Sequence, residues 1–283
     1  MTEIVLDIIG DALIDGLKLV PFLFLTYFGM EYLEHRTGDR TQELVRKAGK
    51  WGPLLGGVVG ALPQCGFSAA ASNLYAGRVI TLGTLFAIYL STSDEMLPIF
   101  ISEKAPVGLI AGVLLAKMVL GMLVGFIIDI MFRHQHEEPE HIHDLCEHDH
   151  CHCEESILRS AIHHTVQITL FIMLIGIVLN LLFHFVGEDV LADVLRDRPV
   201  VGPMVASLVG LIPNCAASVI ITQLYLKQVI GVGSMMAGLL TGSGVGLLIL
   251  FRVNPDKKEN MKITGLLYLI GVCLGIMINL VCK

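Results

Sequence analysis

Two carboxylates, Asp94 and Glu95, close the polar stretch Ser91-Thr92-Ser93-Asp94-Glu95 in the middle of an apolar run. An ionised carboxylate at the centre of a bilayer costs about 2.5–3.5 kcal/mol on insertion scales, so such residues face a cation, a proton or a polar cavity. Cys65 and Cys215 form a second group, each preceded by an amide in Pro63-Gln64-Cys65 and Pro213-Asn214-Cys215. Thiolates favour soft or borderline metals, whereas carboxylates and amide oxygens favour harder ones. A third group lies between Arg133 and Glu155, where seven histidines, three cysteines and eight carboxylates crowd together. His134, His136, His141, His143, Cys146, His148, His150, Cys151, His152 and Cys153 are ligand types for zinc, nickel, cobalt or copper. Their spacing lacks the separated Cys-x-x-Cys pairs of a closed structural zinc site, which predicts a flexible, promiscuous chelator. Plainer readings stand beside each group: inert buried cysteines, Ser93 as the N-cap of a helix starting at the surface, and a solvated acidic linker.

The elements that must position these groups are membrane helices. Hydrophobic residues make up 54% of the 283 and charged residues 16%, with mean hydropathy +0.73; soluble domains hold roughly 45–50% apolar and about 25% charged residues. Apolar runs near 13–33, 53–76, 79–101, 107–131, 158–185, 200–226, 229–251 and 263–281 mostly reach the ~20 residues that span a bilayer. The acidic start, Met1 to Asp7, has no basic n-region and predicts no removable signal peptide. Net charge is −7, the eight loop carboxylates account for it, and no basic patch suggests nucleic acid. The seven cysteines are placed as thiols and ligands and not as a secreted disulfide framework.

The chain is a duplication. Gly60-Ala-Leu-Pro-Gln-Cys65 returns as Gly210-Leu-Ile-Pro-Asn-Cys215, an offset of 215 − 65 = 150. The match continues through Ser68/Ser218, Tyr75/Tyr225, Gly83/Gly233, Ser93/Ser243, Gly121/Gly271, Gly125/Gly275 and Asp129/Asn279. At an offset of 149, Phe22 pairs with Phe171, Glu31 with Asn180 and His35 with His184. This divides the chain into a first repeat at 1–132, a His/Cys/acid-rich loop at 133–156 and a second repeat at 157–283.

Basic residues suggest that the repeats are oppositely oriented, because Lys and Arg accumulate in cytoplasmic loops. Arg36, Arg40, Arg46, Lys47 and Lys50 follow the first helix of the first half, whereas Arg252, Lys257, Lys258 and Lys262 precede the last helix of the second. An inverted-topology repeat requires an odd number of net crossings per half. The Pro-Cys segment can supply the difference: residues 52–62 amount to ~16 Å of helix, half of a ~30 Å core. The expected fold is therefore an all-α polytopic membrane protein with an inverted-topology repeat. Each half holds one helix, a re-entrant Pro-Cys helical hairpin and two further helices, about ten helical segments in all. Proline breaks the helix at the tips, and backbone freed at membrane depth must line protein or a hydrated cavity. Two full spans merely kinked at Pro63 and Pro213 are the alternative, which leaves the basic-loop reversal unexplained.

The candidate ion-binding set is thus Gln64, Cys65, Ser93, Asp94, Glu95, Asn214, Cys215 and Ser243. Glu31, Asp94 and Glu95 are the candidate proton carriers, while Lys117 and Asp129 read as side chains snorkelling to the interface. The paired Pro-Gln-Cys-Gly and Pro-Asn-Cys-Ala motifs, the Ser-Thr-Ser-Asp-Glu and Thr-Gly-Ser-Gly breaks and the His-rich loop together resemble the ten-helix heavy-metal exporters, a family labelled as arsenic efflux or manganese transport proteins. By that resemblance the candidate set would surround the substrate.

These readings converge on a secondary active transporter, not an enzyme, that exports a divalent transition or heavy-metal ion by proton-coupled alternating access. No Gly-x-x-x-x-Gly-Lys-Ser/Thr loop is present to supply nucleotide hydrolysis. No permanent cofactor is expected, only a transported or regulatory ion such as manganese, zinc, cobalt or nickel. The expected setting is the inner membrane, with the central loop cytoplasmic and both termini outside, and with a homodimer compatible. Transport of an oxyanion or small organic anion such as an arsenic species, held by positive helix ends, and a metal-responsive membrane sensor are the competing readings. An intramembrane redox pair of Cys65 and Cys215 is weaker, since neither belongs to a Cys-x-x-Cys motif.

Overall fold

A computed structural model describes residues 51–62, 65–93, 96–132 and 199–281, with separate helical positions between 10 and 28 and between 162 and 178. Among the described residues every regular element is a helix. In the first half they are α1 (Gly52–Gly60), α2 (Cys65–Ala76), α3 (Leu82–Ser91), α4 (Met96–Ser102) and α5 (Val107–Met131). In the second half they are α6 (Val201–Gly210), α7 (Cys215–Leu226), α8 (Val232–Thr241), α9 (Gly246–Val253) and α10 (Lys257–Val281). The starts of α2 and α7, of α3 and α8, and of α5 and α10 are each separated by the 150-residue offset of the sequence repeat.

Local chemistry sets the boundaries. Pro53 sits in the first turn of α1, where its missing N–H is not needed. Thr81 caps α3 by accepting from Thr84 N at 3.1 Å. At the other end of α3 the hydroxyls turn inward: Ser91 Oγ donates to Ala87 O at 2.7 Å and Thr92 Oγ1 to Ile88 O at 2.7 Å. Such back-bonding competes with the helical ladder. The α8 end repeats it, Thr241 Oγ1 donating to Ala237 O and Gly238 O, and Gly244 then takes φ 54°, a left-handed conformation that glycine adopts without strain.

Length separates two kinds of helix. The 25-residue α5 and α10 measure ~37 Å, enough to cross a ~30 Å core. By contrast α1, α2 and α3, with 9, 12 and 10 residues, reach only ~13–18 Å. Three stretches, Val107–Met131, Val232–Val253 and Lys257–Val281, are long and apolar enough to cross a membrane; the middle one contains the break after Thr241.

Close approaches give the relative directions. Gly52 lies against Thr84 and Gly60 against Ser91, so α1 and α3 run the same way. Gly121 lies against Ala87 and Gly125 against Gly83, so α5 runs back along α3. Asp129 closes this end, accepting from Gly83 N at 2.8 Å and from Thr81 Oγ1 at 2.8 Å. The second half is built alike: Gly271 and Gly275 meet Ala237, and Asn279 Oδ1 accepts from Gly233 N at 3.0 Å. A side chain at Gly125 would strike the Gly83 carbonyl and Pro53, so the interface depends on small residues that let backbones touch. Asp129 is thereby a helix cap, which corrects its reading as a snorkelling side chain. The α3 N–H groups present a fixed donor set that a carboxylate satisfies better than water at the interface.

The opposite faces of the long helices are bare and apolar. On α5, Leu115, Val119, Leu123 and Ile127 recur at four-residue spacing and stand 47–55% exposed. On α10, Leu269 and Met277 flank the exposed Cys273 at the same spacing. Ile162, Val166, Leu170, Leu174 and Val178 form a third stripe. Contiguous exposed apolar surface on this scale belongs against hydrocarbon, and the protein is an all-helical, multi-pass membrane protein.

The halves interlock through α2 and α9. Ser72 Oγ donates to Gly246 O at 2.7 Å and lies 2.7 Å from Tyr89 Oη, in a fully buried cluster. At the far end of α2, Tyr75 Oη donates to Glu259 Oε1 at 2.5 Å, and Arg78 Nη1 bonds the same oxygen at 3.1 Å. Asn254 Nδ2 donates to the other carboxylate oxygen, Glu259 Oε2, at 2.9 Å. This latch joins the turn after α2 to the first turn of α10.

Candidate functional site at the helix breaks

The short helices end against one another. A side chain at Gly60 would collide with Ser91 Oγ, and one at Gly210 with Thr241 Oγ1, so the end of α1 meets the end of α3 and the end of α6 meets the end of α8. In each half the turn after the first short helix therefore lies beside the helix break that follows. Helix C-termini carry roughly −0.5 charge and N-termini about +0.5. The ends of α1, α3, α6 and α8 bring the negative kind, and the starts of α2, α4, α7 and α9 follow within a few residues. Ends of interrupted helices of both polarities are the kind of group that meets ions in discontinuous membrane helices.

Ser93 and Ser243 both lie in this region, each 1% exposed. Ser93 Oγ donates to Ser91 O at 3.1 Å; buried and bonded backward, it is not the surface N-cap of the plainer reading. Ser243 Oγ has no hydrogen-bond partner, and neither has Ser207 Oγ. An unmade buried hydrogen bond costs about 1–3 kcal/mol, a penalty that a bound ligand would remove. Asn214 caps α7, its Oδ1 accepting from Ala216 N at 3.1 Å. Cys65 and Cys215 begin α2 and α7, which puts both backbones at the tips. Their thiols, together with Gln64, Asp94, Glu95, Glu31 and the loop ligands His134 to Cys153, lie outside the described residues. Among the described residues no three His, Cys, Asp or Glu side chains are grouped to hold a metal.

Sequence reasoning missed the most telling residue. Lys117, midway along α5, is 1% exposed and donates from Nζ to Thr92 O and, at 2.6 Å, to Leu239 O. It does not snorkel. Its stem is short of either interface, and at both breaks carbonyls without helical partners offer an ammonium better company than lipid. Because one nitrogen holds both carbonyls, the break of the first half and the last turn of α8 are neighbours. The signal available was a lone lysine at the centre of a 25-residue apolar helix, which is a functional-site signature by default.

Comparison with known proteins shows a family for the chain. A family model described as "Putative, 10TM heavy-metal exporter" (ArsP_2) matches residues 1–190, which takes in the first half, the central loop and the start of the second half. No curated protein and no solved structure matches the chain.

Proposed function

Since the chain belongs to the 10TM heavy-metal exporter family, we propose that it is a secondary active transporter exporting a divalent transition or heavy-metal ion. The ion binds between the two hairpin tips and the two breaks, at mid-membrane. The observation that supports this reading is that the ends of α1 and α3 meet, the ends of α6 and α8 meet, and Lys117 bonds to both halves there.

In this reading the chain is an inverted-topology repeat and 52–76 and 202–226 are re-entrant hairpins. Three relations support it. The parallel run of α1 and α3 returns the outer end of α2 to the level where α1 began. The second half repeats that arrangement with Asn279 near Gly233. The Arg78–Glu259 pair then sets the α2 end of the first half beside the start of α10, the end of the second half remote from Asn279. The two halves therefore run in opposite directions through the membrane.

The ion would be liganded by Cys65, Cys215, Asp94, Glu95, Gln64, Asn214, Ser93 and Ser243, and protons would return through Asp94, Glu95 or Glu31. Alternating access follows from rocking one half against the other. No bond of the substrate is made or broken, so the protein is not an enzyme in this reading, and the ion is cargo, not a resident cofactor. The central loop lies in the cytoplasm of a cell whose inner membrane holds the protein, collecting manganese, zinc, cobalt or nickel before export, and both termini lie outside. An oxyanion is the second reading, favoured by the buried Lys117 charge; that ammonium already serves two carbonyls, which weakens it. Proteoliposome flux under a pH gradient tests the proposal: manganese(II) or zinc(II) should cross with the wild-type protein and stop when the gradient is collapsed.

A further inference from the structure

We propose that Thr92 O and Leu239 O form a cation site shared by the two breaks, and that its resident occupant is the Lys117 ammonium. The lysine stands where a free monovalent coupling ion would otherwise sit. The inference deepens the reading of the breaks as a transport site and rests on it for its functional meaning.

The two oxygens are leftovers of interrupted helices. Thr92 is the C-cap residue beyond the last turn of α3. Leu239 lies in the last turn of α8, and the N–H that would close the helical ring onto its carbonyl, that of Ser243, bonds Thr241 O at 2.9 Å instead. Orphan carbonyls at helix ends carry partial negative charge and must be satisfied by donors or cations, and rings of uncharged carbonyls are the ligand type that holds monovalent cations inside membranes. Lys117 reaches both, one from its own half and one across to the other, while 1% exposed. The repeat makes the device asymmetric: position 117 + 150 = 267 is Leu267, fully buried. The one lysine of α5 therefore reaches both breaks, and α10 supplies no second one at the matching position. A tethered cation binds intramolecularly and is always present, so the site stays filled without drawing an ion from either side.

The test uses full-length protein in detergent, comparing wild type with Lys117→Ala and Lys117→Met in thermal melts titrated with methylammonium chloride or with the bulkier choline chloride. Lys117→Ala should melt lower by roughly 5 °C or more, a shift of the size that losing a buried charge-assisted contact gives. Methylammonium should restore at least half of that loss saturably, and choline should not. Neither salt should move the wild type. Lys117→Met, which fills the space without charge, should stay low in both salts. Equal action of the two salts on Lys117→Ala, or wild-type melting of Lys117→Met, would overturn the proposal. If Lys117→Ala does not fold, Lys117→Arg should melt near wild type and Lys117→Met well below it, and equal melting of those two would count against the site. Manganese(II) flux of the wild type is read separately: its absence would remove the transporter reading while the melts still decide whether the carbonyls hold a cation.

Discussion

At Ser243 a buried hydroxyl stands without a partner, and its removal separates structure from function. Replacing an unsatisfied buried hydroxyl by hydrogen is neutral or mildly stabilising, so Ser243→Ala should keep or slightly raise the melting temperature. If the hydroxyl meets the ion, the same variant should weaken apparent metal affinity in flux assays by roughly tenfold, about 1.4 kcal/mol. Ser207→Ala, equally unpartnered but set where α6 meets α8 and α10, should change neither property. Parallel melts and flux titrations of the two variants check this. Asp94→Asn and Cys65→Ala should abolish flux with unchanged folding by circular dichroism, and wild-type flux in both would move the site elsewhere. Ser93 and Ser243 were legible because the repeat aligns them inside two polar interruptions. The contact of Lys117 across the halves was not, because two of its partners are backbone carbonyls 25 and 122 residues away, groups that every residue possesses and that no pattern of side chains reveals.

The elements obey stricter rules. Asp129 and Asn279 fill the same role at the starts of α3 and α8, and Asp129→Ala or Asn279→Ala should cost about 1 kcal/mol as lost N-caps do. Calorimetry of either variant should show it. Gly125→Leu should fail more severely, because Gly83, Ala87 and Pro53 leave no room at that position. Gly112→Leu, on the same helix with nothing within 4 Å, should yield wild-type amounts of monodisperse protein. Element bounds were readable from Pro, Gly and the 150-residue repeat, since punctuation residues act locally. The pairing of Asp129 with Asn279 was visible too. Its meaning was not, because a lone acid near the end of an apolar helix satisfies the snorkelling pattern equally well until the facing Gly83 N–H is known. α1 ends at Gly60, two residues short of the expected 62, in keeping with Pro63 just beyond, which disfavours a helical conformation for the residue before it.

For the molecule as a whole, if the halves are oppositely oriented as proposed, their joining at one end by Tyr75, Arg78, Asn254 and Glu259 implies a conformational bias. The second-half counterparts of Tyr75 and Arg78 are Tyr225 and Gln228, and the first-half counterpart of Glu259 is Leu109, so the opposite end lacks the equivalent charge pair. Glu259→Gln should loosen this end alone, raising the labelling rate of a cysteine introduced at exposed position 257 relative to one at exposed position 103, beyond the other end of α5, with a melting loss no larger than a few degrees because the pair is partly solvated. That pairing spans 181 residues and crosses the two halves, which puts it beyond sequence reading without knowledge of their relative direction. If the loop serves collection and not passage, deleting 134–155 should shift apparent affinity and leave the maximal rate intact. The flux expectations depend on metal crossing the membrane through the breaks. Purified protein in sealed liposomes, given an inward or outward proton gradient and manganese(II) or zinc(II), should move metal at a rate that vanishes when the gradient is dissipated and in the Asp94→Asn variant. Metal that stays outside intact, correctly folded wild-type protein under either gradient would contradict the account.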